Sequence, residues 1–258
     1  MHSGGRPYFC NINRIDLEKQ RVYVKELGLI GYREAWDLQE QLLQQNVQVK
    51  LAGKSASALL LPTTHHLLFC EHSPVYTLGK SGSMDHLLIS EAELHRRQIG
   101  FFHTNRGGDI TFHGPGQIVM YPILDLEKFT TDIGLYLRNL EEAVIRCLDA
   151  FGMRAGRSSG ETGVWLDADI AGRARKICAM GVRCSRWVTM HGIALNVNTD
   201  LSYFGQIVPC GIADKSVTSL AAELGKPVQM ERVKEELCRT FASVFACTLV
   251  HAEAEHRS

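Results

Sequence analysis

The segment that most constrains this chain is residues 118–126, IVMYPILDL. Both of its alternating faces are largely apolar, which suits a strand buried on two sides rather than one. Soon after it comes the best helical pattern, over 132–151. There Ile133, Leu137, Leu140, Val144 and Leu148 recur at steps of three and four, and Gly152 supplies a stop signal. Helices are also predicted over 31–44, with Tyr32, Trp36 and Leu43 on one side, and over 231–245, with the stripe Val233, Leu237, Phe241 and Phe245. Further strands are predicted at 66–71, 163–170 and 187–198. In 164–170 and 191–197 one face is apolar and the other mixed, as in strands with a single covered face. Runs of strands with helices at irregular intervals, rather than strict alternation, predict an α+β fold.

Composition narrows the function classes. The chain has 258 residues, with 28 Lys+Arg against 28 Asp+Glu. A zero formal charge removes the electrostatic case for a general nucleic-acid binder, which presents a strongly basic face. No apolar stretch nears the roughly 18 residues of a membrane span. The first residues are polar and lack a charged start followed by an apolar run, so a cytoplasmic protein is expected. The eight cysteines form no CxxC pair and read mostly as reduced, buried, small hydrophobes. No linker, repeat or low-complexity tract divides the chain. One domain over 1–258, with its core at about 25–247, is the simplest organisation.

Several familiar motifs fail. Gly53-Lys54-Ser55 and Gly79-Lys80-Ser81 suggest a phosphate loop, but the glycine required five residues earlier is Gln48 in one case and Pro74 in the other. No GxGxxG supports a dinucleotide. His65 and His66 are adjacent, so in a strand they point to opposite faces and cannot share one metal ion. Neither HExxH nor Cys/His zinc spacing occurs, and no metal is expected.

Two segments carry chemistry. Residues 106–117 place four glycines, a proline, Arg106 and His113 immediately before the buried strand. Glycines let backbone N–H groups approach a ligand, while Arg and His supply donors for a carbonyl or an anion. Residues 170–199 contain no Asp or Glu but hold Arg173, Arg175, Lys176, Arg183 and Arg186. Beyond them, Cys210 sits in the turn-like Pro209-Cys210-Gly211, the thiol expected to be most exposed. Cys147 and Cys238 fall in helical segments, and Cys178 lies in an apolar run. A free thiol is only about 3% thiolate at pH 7. A nearby ammonium favours the anion, and a depression of ~1.5 units makes it roughly half populated. Contact between Lys176 and Cys210, 34 positions apart, is the hypothesis this makes.

With these residues in view, the chain resembles the lipoyl(octanoyl) transferases, or octanoyl-[acyl carrier protein]:protein transferases, over about residues 65–224. The motifs are RGGDITFHGPGQIVMYP (106–122), GVW (163–165), KICAMG (176–181), HGIALNVN (191–198), PCG (209–211) and SVTSL (216–220). The spacings Lys176 to His191 and His191 to Cys210 agree with the family too. The first twenty or so residues and 46–64 look unlike it.

The resemblance implies a biotin/lipoate protein ligase-like fold, a mixed β-sheet flanked by helices. It implies Cys210 as the nucleophile carrying an acyl thioester, and Lys176 as the group that lowers its pKa and acts as acid and base. The substrate-binding residues it implies are Arg106, Gly107, Gly108, Asp109, Ile110, Thr111, Phe112, His113, Ala179, Met180, Gly181, Gly192, Ile193 and Ala194, with His113 and His191 placed to help hold the acyl carbonyl. No cofactor is implied, because the acyl group arrives on the phosphopantetheine of acyl carrier protein. The implied partners are octanoyl-acyl carrier protein and the apo lipoyl domains of 2-oxoacid dehydrogenase complexes and glycine cleavage H protein, with no nucleic acid and no membrane. The rivals are an ATP-dependent lipoate or biotin ligase and a catalytically silent carrier- or lipoyl-domain-binding protein.

Overall fold

A computed structural model describes residues 19–53, 62–208 and 216–251. At its centre is the strand Gln117–Ile123, every residue of which is buried. Ile118 and Met120 enter one apolar core with Leu140 and Val144 of the helix Ile133–Asp149 and Leu237 and Phe241 of the helix Met230–Val244. Val119, Tyr121 and Ile123 enter a second core with Leu43 and Val47 of the helix Tyr32–Ala52. Strand alternation thus divides one apolar run between two cores. Each fully buried Leu or Phe contributes about 1.5–3 kcal/mol relative to exposure.

The strands are β1 (Arg21–Ile30), β2 (His65–His72), β3 (Val75–Leu78), β4 (Gly100–His103), β5 (Ile110–His113), β6 (Gln117–Ile123), β7 (Ala155–Ser158), β8 (Glu161–Leu166), β9 (Arg175–Ser185), β10 (Val188–Asn196), β11 (Ser216–Val217) and β12 (Thr248–His251). The helices are α1 (Tyr32–Ala52), α2 (Glu91–Arg96), α3 (Ile133–Asp149), α4 (Leu220–Leu224) and α5 (Met230–Val244). The large sheet runs β12-β1-β2-β6-β10-β9-β8-β7, with β11 beside β9. β1 is parallel to both β12 and β2, β11 is parallel to β9, and the other pairs are antiparallel. A second sheet, β4-β3-β5, has its own core around Tyr76, Leu94 and Phe112. The architecture is the expected mixed sheet flanked by helices.

Several boundaries differ from expectation. Helix α1 continues past residue 44 to Ala52, because buried Asn46 binds both the N–H and the carbonyl of Thr64 (2.8 and 2.7 Å) and ties the helix end to the approach to β2. β6 ends at Ile123, and Asp125 caps a short 3-10 turn by accepting the Glu127 N–H. β8 ends at Leu166, where Asp167 turns the chain at φ +49°. β10 is buried at every residue, so the expected single covered face is wrong for it. Helix α3 begins as expected, with the Asp132 carboxylate accepting the Leu135 N–H at 2.9 Å. His65 is buried, and no group of three metal-ligating side chains occurs among the described residues.

Candidate active site

Between the large sheet and the small one lies a cavity of about 430 Å³, walled by β5, β6, β9 and β10 and closed at one side by Tyr32 of α1. Lys176 is part of that wall. It is the second residue of β9 and only 9% exposed. Its neighbour across the ladder in β8 is Trp165, and the ammonium lies 4.5 Å from the centre of the indole ring. A cation held over an aromatic face out of water gains about 2 kcal/mol. On its other side the Lys176 carbonyl accepts the Thr218 N–H (3.0 Å), and Lys176 pairs with Val217 of β11.

The GVW motif is the platform for this lysine. Gly163 has φ +128°, a conformation that side chains rarely adopt. A Cβ there would sit 2.7 Å from the Cys178 carbonyl oxygen and 3.5 Å from Lys176 Cε. The Gly163 N–H donates to Glu141 Oε1 at 3.0 Å. Glu141 is fully buried on α3 and also pairs with Arg138 and Arg157. A charged anchor inside the protein therefore fixes the strand against which Lys176 lies.

The glycine-rich segment forms the facing wall. The Arg106 guanidinium is buried and donates to the Thr77 carbonyl (2.7 Å), the Thr77 hydroxyl (2.9 Å) and the Gly107 carbonyl (3.0 Å). The Gly107 N–H binds the Val182 carbonyl. A Cβ on Gly181 would lie 2.6 Å from the Gly107 carbonyl oxygen, so glycine allows the loop to seat on β9. Of the expected binding residues, Arg106, Gly108, Asp109, Ile110, Thr111, His113, Ala179, Met180, Gly181, Gly192, Ile193 and Ala194 line the cavity. Gly107 and Phe112 do not. Gly107 is spent on β9, and Phe112 stacks on Tyr203 with ring centroids 4.4 Å apart in the core of the small sheet.

The floor is polar but uncharged. Burial, then the neighbouring His72, lowers the His113 pKa well below the ordinary value. Burial first, then Arg106 and Arg183, takes His191 down to about 3. Burial raises Tyr32 to about 12 and Tyr121 well above the ordinary range. His191 Nε2 faces Asn105 Oδ1 at 2.8 Å, while Nδ1 has no hydrogen-bond partner among the described residues. A neutral imidazole donating to Asn105 offers an acceptor at Nδ1. His113 Nδ1 faces Gln117 Oε1 at 2.8 Å, the oxygen of an amide whose nitrogen donates elsewhere. Both imidazoles line the cavity in which the sequence places them to help hold an acyl carbonyl.

The acid-free stretch is not a free basic face. Arg175 binds Asp167 and Glu223, each at 2.8 Å, and Arg183 binds Glu40 at 2.5 Å. Arg173 also reaches Asp167. Carboxylates from other parts of the sequence take up these charges.

Cys210 lies outside the described residues, as does Cys10, and the expected contact of Cys210 with Lys176 therefore lies outside them too. The described thiols can still be compared. Burial raises the pKa of Cys70, Cys147, Cys178, Cys184, Cys238 and Cys247 in every case, to about 12 for Cys147 and Cys238 and about 11 for Cys247. None of these six is poised as a thiolate. The chain passes out of description after Val208, whose N–H donates to the His86 carbonyl at 2.8 Å. It returns at Ser216, whose N–H donates to the Ala174 carbonyl. His86, Lys176 and Val217 all line the cavity.

Sequence reading missed the roles of Gly163, Trp165, Glu141, Tyr32 and His86. The GVW motif was the available signal for the first two. The others carry no local pattern, since they reach the site only through tertiary packing.

Comparison with known proteins adds a second line. Residues 31–242 match the family model for the lipoyl protein ligase A/B catalytic domain. The chain is 55% identical to an octanoyltransferase of Christiangramia forsetii over 89% of its own length and 98% of the relative's. It is 52% identical to an octanoyltransferase of Flavobacterium johnsoniae over 90% and 99% of the two chains. Among solved structures it superposes on a bipartite lipoate protein ligase from Thermoplasma acidophilum with a TM-score of 0.62 at 16% identity, covering 92% of this chain and 88% of the other. At that identity the likeness speaks for the fold.

Proposed function

Because this chain belongs to the lipoyl protein ligase A/B catalytic-domain family, and its close relatives are octanoyltransferases, we propose that it moves an octanoyl group from acyl carrier protein to a lysine of apo lipoyl domains through a thioester on Cys210. The observation that carries this reading is Lys176, a buried cationic side chain in the cavity wall, joined through β11 to the segment that contains Cys210. The upward shift of all six described thiols leaves Cys10 and Cys210, and of these the Pro209-Cys210-Gly211 turn matches the motif that the sequence shares with the octanoyltransferases.

In the first half-reaction the Cys210 thiolate attacks the carrier thioester. A new C–S bond forms, the pantetheine C–S bond breaks, and the pantetheine sulfur leaves. One thioester replaces another, so the step is close to isoenergetic. The ammonium of Lys176 stabilises the attacking thiolate. In the second half-reaction the target amine displaces Cys210 and an amide forms, which is downhill. The amine must shed its proton before attack, because a lysine is protonated at neutral pH. Lys176, when neutral, takes that proton. No nucleotide and no cofactor enter either step. Acceptors are the lipoyl domains of 2-oxoacid dehydrogenase complexes and glycine cleavage H protein. The reading puts the reaction in the cytoplasm, and no described helix is long and apolar enough to cross a membrane.

Intact-mass analysis tests this. Incubation with octanoyl-acyl carrier protein, without nucleotide, is expected to add one octanoyl group at Cys210, which an apo lipoyl domain then removes. Transfer that requires ATP, or a chain that never gains mass, overturns the proposal.

A further inference from the structure

A second proton-handling group lines the same cavity. His86 ends a short 3-10 turn, Met84–His86, which Ser83 caps by accepting the Asp85 N–H. Its Nδ1 lies 2.6 Å from Asp109 Oδ2, and the other oxygen of that carboxylate accepts the Ile110 N–H at 2.7 Å. Asp109 is thus held by the Ile110 backbone N–H and has the His86 imidazole within ion-pair distance on its other side, a contact without hydrogen-bond geometry. The backbone at His86 is fixed as well. Its carbonyl accepts the Val208 N–H, the Leu88 N–H donates to the Gln206 carbonyl, and Leu87 bridges Ile207.

The two candidate bases differ in access to water. Lys176, in the cavity wall, is buried, whereas the His86 side chain is 28% exposed. A proton accepted by the more deeply buried group reaches solvent less directly. A group that touches both cavity and solvent returns it directly. An imidazole can accept a proton on one ring nitrogen and pass one on, the chemistry a general base needs.

We infer that His86, paired with Asp109, is a second proton-transfer residue of this cavity, serving the amine half-reaction. The inference rests on the thioester reading above. As the amine nitrogen bonds to the acyl carbon and the C–S bond breaks, the ammonium loses two protons in all. One passes to neutral Lys176, which becomes the ammonium beside the departing Cys210 thiolate. The other passes to His86 Nε2, the ring nitrogen that is not the one beside Asp109, and from there to solvent.

The test separates the half-reactions. Parent, His86→Gln and Asp109→Asn proteins are loaded from octanoyl-acyl carrier protein, freed of donor, and mixed with either an apo lipoyl domain or hydroxylamine, which is already a neutral amine at pH 7. Deacylation is followed by intact mass, and folding by circular dichroism. His86→Gln is expected to slow transfer to the lipoyl lysine about 10²-fold at pH 7, a loss that shrinks as pH rises, with hydroxylamine affected much less. Asp109→Asn is expected to act in the same direction with a smaller loss. Equal losses with both nucleophiles, no loss with either, or two folded variants that never load overturn the inference. A parent protein that fails to form the adduct overturns the thioester reading itself, and this inference with it, and is recognised without any variant.

Discussion

Arg175 and Lys176 are neighbours on one strand and both cationic, yet they do opposite things. Arg175 is clamped by Asp167 and Glu223 at the protein surface. Lys176 faces the cavity over the ring of Trp165, 9% exposed. Strand alternation sends consecutive side chains to opposite faces, so a basic run in sequence becomes one structural clamp and one functional group. Charge alone does not make a site. Burial against an aromatic ring beside a cavity does.

Removing each cation in turn puts the two roles in direct opposition. Lys176→Ala is expected to reduce turnover by about 10²–10⁴-fold, measured as octanoyl transfer to an apo lipoyl domain. Arg175→Ala in the same assay is expected to stay close to the parent. Equal losses would erase the distinction.

The platform beneath Lys176 gives the next largest effect. Gly163→Ala meets both an unfavourable φ and the Cys178 carbonyl, and is expected to cost about 2–4 kcal/mol in denaturant unfolding, with activity falling as well. Glu141→Gln keeps the shape but removes the charge that binds Arg138, Arg157 and the Gly163 N–H. A loss of about 1.5–3 kcal/mol is expected by the same measurement.

Acid widens the contrast between buried and exposed groups. His65 is held down to about 4 and His191 to about 3, both chiefly by burial, against an ordinary 6.5. Between these values the unfolded chain binds more protons than the folded one, so stability is full above about 6.5 and falls as pH drops through 4 toward 3. Melting temperature measured from pH 8 to pH 4 is expected to decline over that window, and His65→Gln to flatten its upper part. The smallest effect is that of Arg175→Ala on stability, where an exposed clamp to Glu223 contributes at most about 1 kcal/mol.

The central strand and the three long helices were legible in the sequence because their apolar spacing is periodic and their cores are large. β9 was hidden inside the basic stretch, since Arg175 and Arg183 are neutralised by Asp167, Glu223 and Glu40 from elsewhere in the chain. The hairpin joining it to β10 was invisible as well. Its two turn residues, Arg186 and Trp187, both have positive φ where Asn-Gly is the usual signal. At the site, the glycine-rich segment and Lys176 stood out by composition, and most of the expected binding residues do line one cavity. Tyr32, Glu141 and His86 were unreadable because each acts on residues remote in sequence. Phe112 shows the converse: a residue inside a functional motif can belong to a core.

Whether Lys176 activates Cys210 is decided by the rate of Cys210 alkylation with iodoacetamide as a function of pH, read by peptide mass analysis in the parent and in Lys176→Ala. If Lys176 stabilises the thiolate, the parent profile lies below that of an ordinary thiol and moves to higher pH in the variant. Superimposable profiles would contradict that role.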